Sequence, residues 1–181
     1  MAVDQELMRR ATGIVGDFNP QDVANLMWGL AKMGVHPDAG LLEAMQRQAI
    51  ATVGGFIPQN VANLMWALAT MGVKADAGLL EAMQRQAIAT AGNFKPQNVA
   101  NLMWALATMG VKPNPRLLEA MQGRATATAR DFEPQHVANL LWALATMGIE
   151  SDPRLLEAMQ QRATVAAGNF KPQAVGNVLW A

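Results

Sequence analysis

Apolar residues recur along this chain at spacings of three and four, the mark of one buried face of an α-helix, and turn residues interrupt them at regular distances. Over residues 58–71, Val61, Leu64, Met65, Leu68 and Met71 gather on one side at roughly 100° per residue, while Gln59, Asn63, Trp66 and Thr70 fall on the other. Over residues 77–89, Leu79, Leu80, Met83 and Ala87 form a second stripe. Two kinds of amphipathic helix, A and B, therefore alternate.

Their ends are marked by residues with a physical reason to be there. Helix A opens at Pro20, Pro58, Pro96, Pro134 or Pro172, since proline in the first helical position sacrifices no hydrogen bond and already has the helical φ. The Phe two residues earlier is placed to pack on Val23, Val61, Val99, Val137 or Val175 in the fourth helical position, a hydrophobic staple. Helix A ends at Gly34, Gly72, Gly110 and Gly148, where a left-handed residue is wanted. Helix B starts on the N-caps Asp38, Asp76, Asn114 and Asp152, with Pro115 and Pro153 added in the later copies. It runs to Gly54-Gly55, Gly92-Asn93, Arg130-Asp131 or Gly168-Asn169, where Gly and Asn are expected to supply the turn. Its outer side carries Glu81 with Arg85 at spacing four, and in later copies Arg116 with Glu119 and Arg154 with Glu157 at spacing three.

The unit repeats every 38 residues, as Phe18, Phe56, Phe94, Phe132 and Phe170 show, and likewise Trp28, Trp66, Trp104, Trp142 and Trp180. Residues 20–57 and 58–95 agree at 30 of 38 positions. A fixed period of this size is the signature of a solenoid. The expected fold is all-α, an α-solenoid of tandem helical hairpins forming a single array over residues 1–181. It divides into a half unit 1–19, full units 20–57, 58–95, 96–133 and 134–171, and a truncated half unit 172–181. The half unit at the start predicts a lone helix B from about Asp4 to Val15, giving ten helices in series. Because it starts out of phase and stops inside a helix A, the sequence reads as an excerpt of a longer array.

Composition narrows the function classes. The chain is 51% hydrophobic and 15% charged, ample for a helical array, and it has no Cys, which excludes disulfides and thiolate metal sites. Formal net charge is zero, so the strongly basic footprint usual for phosphate binding is missing. The longest apolar run, Val99 to Val111, is broken by Asn101 and Thr108 and falls short of the about 20 residues a membrane span requires. No membrane partner and no cofactor are expected, and residues 1–10 lack the apolar core of a signal peptide. His36 and His136 sit at different positions of the repeat, with no recurring acid, Ser or Cys beside them. Repetition itself argues against an enzyme, whose active site needs one asymmetric cluster.

The helix opening F-x-P-Q-x-V-A-N, the core N-L-x-W-A-L-A-x-M-G and the second-helix motif L-L-E-A-M, at this period, resemble the octotricopeptide repeat. That family is built of helical hairpins laid out like tetratricopeptide and pentatricopeptide repeats, and the likeness covers essentially the whole chain. The resemblance implies a solenoid that binds single-stranded RNA in an organelle, chloroplast or mitochondrion, and supports RNA maturation, stability or translation. Periodicity alone would give only a helical scaffold, for which protein partners are the rival reading.

Three sets of positions are candidates for contact with RNA. The repeated Trp has a face on which a base can stack, and it equally suits packing between successive helices A. The repeated Asn25, Asn63, Asn101, Asn139 and Asn177 are poor helix formers, which either hydrogen-bond the neighbouring hairpin's backbone as a ladder or face the groove and touch RNA. Around the fixed Pro-Gln, each unit carries a different pair: Asn19 with Asp22, Ile57 with Asn60, Lys95 with Asn98, Glu133 with His136, and Lys171 with Ala174. Members of a pair are three apart and share a face, as do the two or three side chains with which some repeat arrays read one base per unit. Simple drift of exposed first-turn positions gives the same variation, and the carboxylates of Asp22 and Glu133 suit phosphates poorly.

Overall fold

A computed structural model describes residues 5–166, and among these the regular structure is entirely helical. In chain order the helices are α1 (Gln5–Ile14), α2 (Pro20–Met33), α3 (Ala39–Ala51), α4 (Pro58–Thr70), α5 (Ala77–Ala89), α6 (Pro96–Thr108), α7 (Pro115–Ala127), α8 (Pro134–Thr146) and α9 (Pro153–Val165). The even-numbered helices are A and the odd-numbered ones B, so the protein is an α-solenoid. The helix expected from Pro172 and the positions Phe170, Lys171, Ala174, Val175, Asn177 and Trp180 lie outside the described residues.

Each terminus is closed by the chemistry that its sequence offers. Gly34, Gly72, Gly110 and Gly148 adopt φ of 66°, 64°, 68° and 62°. This left-handed step lets the Val73 N–H reach the Leu68 carbonyl at 3.0 Å and the Gly72 N–H reach Ala69 at 3.1 Å, satisfying carbonyls the helix leaves open. The N-caps of helices B accept as expected: Asp38 from Leu41 N–H at 2.8 Å, Asp76 from Gly78 N–H at 2.7 Å, Asn114 from Leu117 N–H at 2.8 Å and Asp152 from Arg154 N–H at 2.8 Å.

Two local expectations are corrected. The B-to-A linkers are single 3-10 turns, Val53–Gly55, Ala91–Asn93 and Ala129–Asp131, with no positive φ, so Arg130-Asp131 serves as well as Gly54-Gly55. The first helix B closes with the same turn, Val15–Asp17, and so ends at Ile14. Glu43, Glu81 and Glu6 pair with Arg47, Arg85 and Arg9, but the spacing-three pairs Arg116–Glu119 and Arg154–Glu157 do not form. Glu157 instead accepts from Gln161 at 3.3 Å.

The helices form two layers. Successive helices A pack side by side along their length, and successive helices B meet over shorter stretches. Ala62, Ala67, Ala100, Ala105, Ala138 and Ala143, all fully buried, keep the A–A spacing small, because interaxial distance follows side-chain size. The face formed by the more closely packed helices A is called the inner face, by analogy with the concave face of stacked repeats. Phe56, Phe94 and Phe132 are buried in one continuous core with Val61, Val99 and Val137, as the staple requires, and Leu64, Leu68, Leu79 and Met83 fill the space between layers.

Directional bonds tie one unit to the next. Gln46, Gln84 and Gln122 of helices B accept from the N-cap N–H of the following helix B, at Asp76 (2.6 Å), Asn114 (2.9 Å) and Asp152 (2.7 Å). Gln48 and Gln86 donate to the carbonyls of Phe18 and Phe56 at 2.7 Å, and Arg124 and Arg162 do the same to Phe94 and Phe132. The first set ties one helix B to the next, and the second locks the junction between a preceding helix B and the next helix A.

Since Phe94 is fully buried and Trp104 only partly, Phe94→Ala is expected to cost about 3–5 kcal/mol and Trp104→Ala clearly less. Urea denaturation of both variants checks the order; a larger loss at Trp104 would contradict the burial described.

Candidate functional site

Close packing leaves each helix A one open stripe. On α4 this is Gln59, Asn63, Trp66 and Thr70, spaced four, three and four residues apart and therefore on one side of the helix. The same stripe is Gln97, Asn101, Trp104 and Thr108 on α6, Gln135, Asn139, Trp142 and Thr146 on α8, and Gln21, Asn25, Trp28 and Lys32 on α2. Laid side by side, they make a grid of amides, indoles and hydroxyls across the inner face.

The indoles line up between helices. Trp66 and Trp104 have ring centroids 6.5 Å apart with planes tilted by 31°, and Trp104 and Trp142 stand 6.5 Å apart at 34°. These three rings are half-buried, while Trp28 at the end of the row is 41% exposed. Packing and surface display are thus combined in one side chain. Between Trp28 and Trp66 lies the Lys32 ammonium, 5.4 Å and 4.9 Å from the two ring centroids, a cation held over two aromatic faces.

The repeated Asn sits beside the indoles. Asn25 is exposed and Asn63, Asn101 and Asn139 are half-buried. Of the two roles open to this Asn, the ladder to the neighbouring hairpin's backbone does not form among the described residues. Asn139 accepts from Gln135 of its own helix at 2.9 Å, whereas Asn25, Asn63 and Asn101 keep their amides unbonded on the open face.

The variable pairs behave differently from one another. Their second members cap the helix: Asp22 accepts from Asn19 N–H at 3.0 Å, Asn60 from Ile57 N–H at 3.3 Å, Asn98 from Lys95 N–H at 3.2 Å, and His136 through Nδ1 from Glu133 N–H at 3.2 Å. Asn60 and Asn98 are only 7% and 8% exposed, so in these units the pair does not present two side chains to solvent. The first members, Asn19, Ile57, Lys95 and Glu133, remain exposed at the mouth of each helix A. In the first unit Asn19 also accepts from Gln21 and Asp22 N–H at 2.8 Å and 3.0 Å, a complete capping box.

The two histidines are structural. His36 donates from Nε2 to the Met71 carbonyl of the next unit at 2.9 Å. His136 lies edge-on to Phe132, and burial lowers its pKa below the ordinary histidine value while the nearby Glu133 carboxylate pulls the other way. Accepting at Nδ1 places its proton on Nε2 in a neutral ring. What the sequence reading missed are the glutamines and arginines of helix B that bind across units, although their recurrence at 46, 84 and 122 and at 48, 86, 124 and 162 was there to see.

A continuous two-layer stack with one repeated open stripe defines a helical-repeat protein with an extended inner face. Over residues 1–181 the chain matches the family described as RESC6, RNA-editing substrate-binding complex 6 protein. It belongs to that family. A search of curated proteins gave no match.

Replacing the capping amide should be felt in stability. Asn98→Ala is expected to cost about 0.5–2 kcal/mol by chemical denaturation, as for other N-terminal caps, and Lys95→Ala to stay within about 0.5 kcal/mol. For His136 the unfolded chain takes up a proton before the folded one. Its contribution is therefore complete above the unfolded pKa of about 6.5 and declines as pH falls below it. Thermal melts between neutral and mildly acidic pH should show a fall in midpoint that His136→Asn, the cap of the two preceding units, reduces; an identical pH response in both proteins would remove this role.

Proposed function

We propose that this chain is an octotricopeptide-type array that binds single-stranded RNA along the inner face formed by α2, α4, α6 and α8, holding the RNA without catalysing its chemistry. The observation that carries the reading is the pairing, on α2, α4, α6 and α8, of an indole with a neighbouring Asn, three of these four amides having no hydrogen-bond partner among the described residues. Indoles stack on unpaired bases whatever their identity, at roughly 1–3 kcal/mol per base, and free amides match base edges with both a donor and an acceptor. Membership of a family described by RNA-editing substrate binding supports the same direction, and its mention of a complex makes protein partners part of the proposal. Its setting would be an organelle, the mitochondrion for a component of an RNA-editing complex.

Selectivity would reside where the units differ, in the exposed Asn19, Ile57, Lys95 and Glu133, which border an otherwise uniform grid. The supporting activity would be maturation, stability or translation of the RNA that is held.

Among the described residues few cations border this face: Lys32, Lys74, Lys95 and Lys112 lie on helices A or on the residues flanking them. Binding should therefore favour single strands over duplex, with log Kd changing by no more than about 3 per decade of salt, given about 0.7 per phosphate neutralised on a single strand. Gel-shift titrations at several salt concentrations measure this. Preference for duplex, or no RNA binding even at low salt, would leave the protein-scaffold reading in its place.

A further inference from the structure

One junction between units differs from the junction before it at two residues. Residues 73–90 repeat residues 35–52 except that Lys74 and Ala75 replace His36 and Pro37, and residues 96–111 repeat residues 58–73 without a change. At the first junction His36 Nε2 reaches across to the Met71 carbonyl at 2.9 Å, and Met71 is only 7% exposed. At the second, the Lys74 side chain makes no such bond, and Met109, the counterpart of Met71, is half-buried. A cavity of about 330 Å³ lies there, walled by Val73, Leu80, Met109 and Val111, with the exposed Lys74 and Thr108 also lining it. At the third junction proline returns as Pro113, and Met147 is 6% exposed.

We propose that this cavity receives one unpaired base of an RNA strand lying on the inner face, with the Lys74 ammonium on the phosphate attached to that base, and that His36 closes the first junction to RNA. This rests on the RNA-binding reading given above. Thr108 belongs both to the cavity and to the open stripe of α6, so a strand crossing that stripe passes the opening. The volume lies at the lower end of the roughly 300–1,000 Å³ of small-ligand sites, a size for one base rather than a larger group. Aliphatic walls suit the faces of a base, and Met109 adds a polarisable sulfur that is favourable beside an aromatic ring. Polar needs are met by the other two residues: the Thr108 hydroxyl donates or accepts toward a base edge, and Lys74 carries the charge that a phosphate requires. An apolar protein side chain would fill the walls equally well but leave Lys74 without a counter-ion. Charge therefore favours the nucleotide.

The first junction supplies the variant that tests this. Lys74→His combined with Ala75→Pro gives residues 73–90 the sequence of residues 35–52, which the chain already folds, and should bring an imidazole to the Met109 carbonyl. Lys74→Gln removes the same charge at pH 8, where an imidazole is neutral, and leaves the walls alone. The difference between the two variants is then the effect of closing the cavity. For an unstructured 12-nucleotide oligoadenylate, Lys74→Gln should lower affinity and reduce the change of log Kd per decade of salt by about 0.7, one phosphate contact. The double variant should lose a further factor of about 5 to 30, as for returning roughly 40–80 Å² of apolar surface to water. A second readout depends on no variant: with 2-aminopurine at the central positions of the oligoadenylate, binding to the unmodified chain should raise its fluorescence, because a base drawn between aliphatic walls leaves the stack that quenches it. The double variant should lose most of that rise, and circular dichroism melts check that it is folded. Equal affinities of the two variants, or no rise with the unmodified chain, overturns base insertion and leaves the cavity to an apolar side chain of a protein partner, while RNA binding stands. Absence of oligoadenylate binding by the unmodified chain at low salt overturns both.

Discussion

Everything on the inner face depends on how closely the helices A lie against one another. A helix in this layer rests on helices B below and has a neighbour on each flank, so most of its circumference is buried: in α4, Val61, Leu64, Met65 and Leu68 are inaccessible, and so are the small Ala62 and Ala67. What escapes is a single line of residues, one for each turn. Small flanking side chains bring the axes together, and the same closeness sets the distance between indoles on adjacent helices. Packing geometry thus determines the pitch of the candidate binding surface. The first unit shows the importance of the flank: α2 has no helix A before it among the described residues, and there Met33 is 58% exposed where Met71 is 7%.

The outer layer solves a different problem. Helices B touch one another less, so apolar contact alone fixes their register poorly, and the repeat uses hydrogen bonds that have both direction and a fixed reach. Gln46, Gln84 and Gln122 each supply an acceptor to the N–H that begins the next helix B, a donor left over by helix geometry. In the initial half unit the same place is taken by Met8, which packs on the core instead. Gln-to-Arg replacement at 124 and 162 retains the bond to the Phe carbonyl, because both side chains extend an N–H over a similar distance.

The layout of helices was legible because its signals are local. A proline at the first position, a glycine at the C-terminal step and an Asp or Asn cap act within a few residues of themselves, and each does in the structure what its chemistry suggested. The linker turns fall where Gly54-Gly55 and Gly92-Asn93 mark them, and the same 3-10 geometry at Arg130-Asp131 shows that glycine's freedom of φ is not what they require. The site was half legible. Trp66, Asn63, Gln59 and Thr70 could be placed on one face by counting residues, but whether Asn63 is bonded depends on how near the next hairpin approaches, which no single helix encodes. Asn60 and Asn98 were mistaken for open positions because variation in sequence resembles exposure; both are buried and bonded to the backbone.

On the proposed reading, the buried caps would separate stability from choice of ligand. In many helices the residue before the first turn must carry the cap, and its identity is then constrained. Here Asn60, Asn98 and His136 satisfy the N–H of the residue at that place from inside the helix, while the third-residue N–H of Asn98 and His136 turns to the carbonyl of the same residue at 2.9 Å. Ile57, Lys95 and Glu133 are released from capping by this arrangement, and none of their side chains makes a cap bond. They are free to be apolar, cationic or anionic at no cost to the helix. The grid behind them cannot change so freely, since its indoles take part in packing between units. On the RNA-binding proposal, binding strength would come from the shared positions and preference from the released ones, and such a surface would change what it selects one unit at a time, without altering the spacing on which every unit relies.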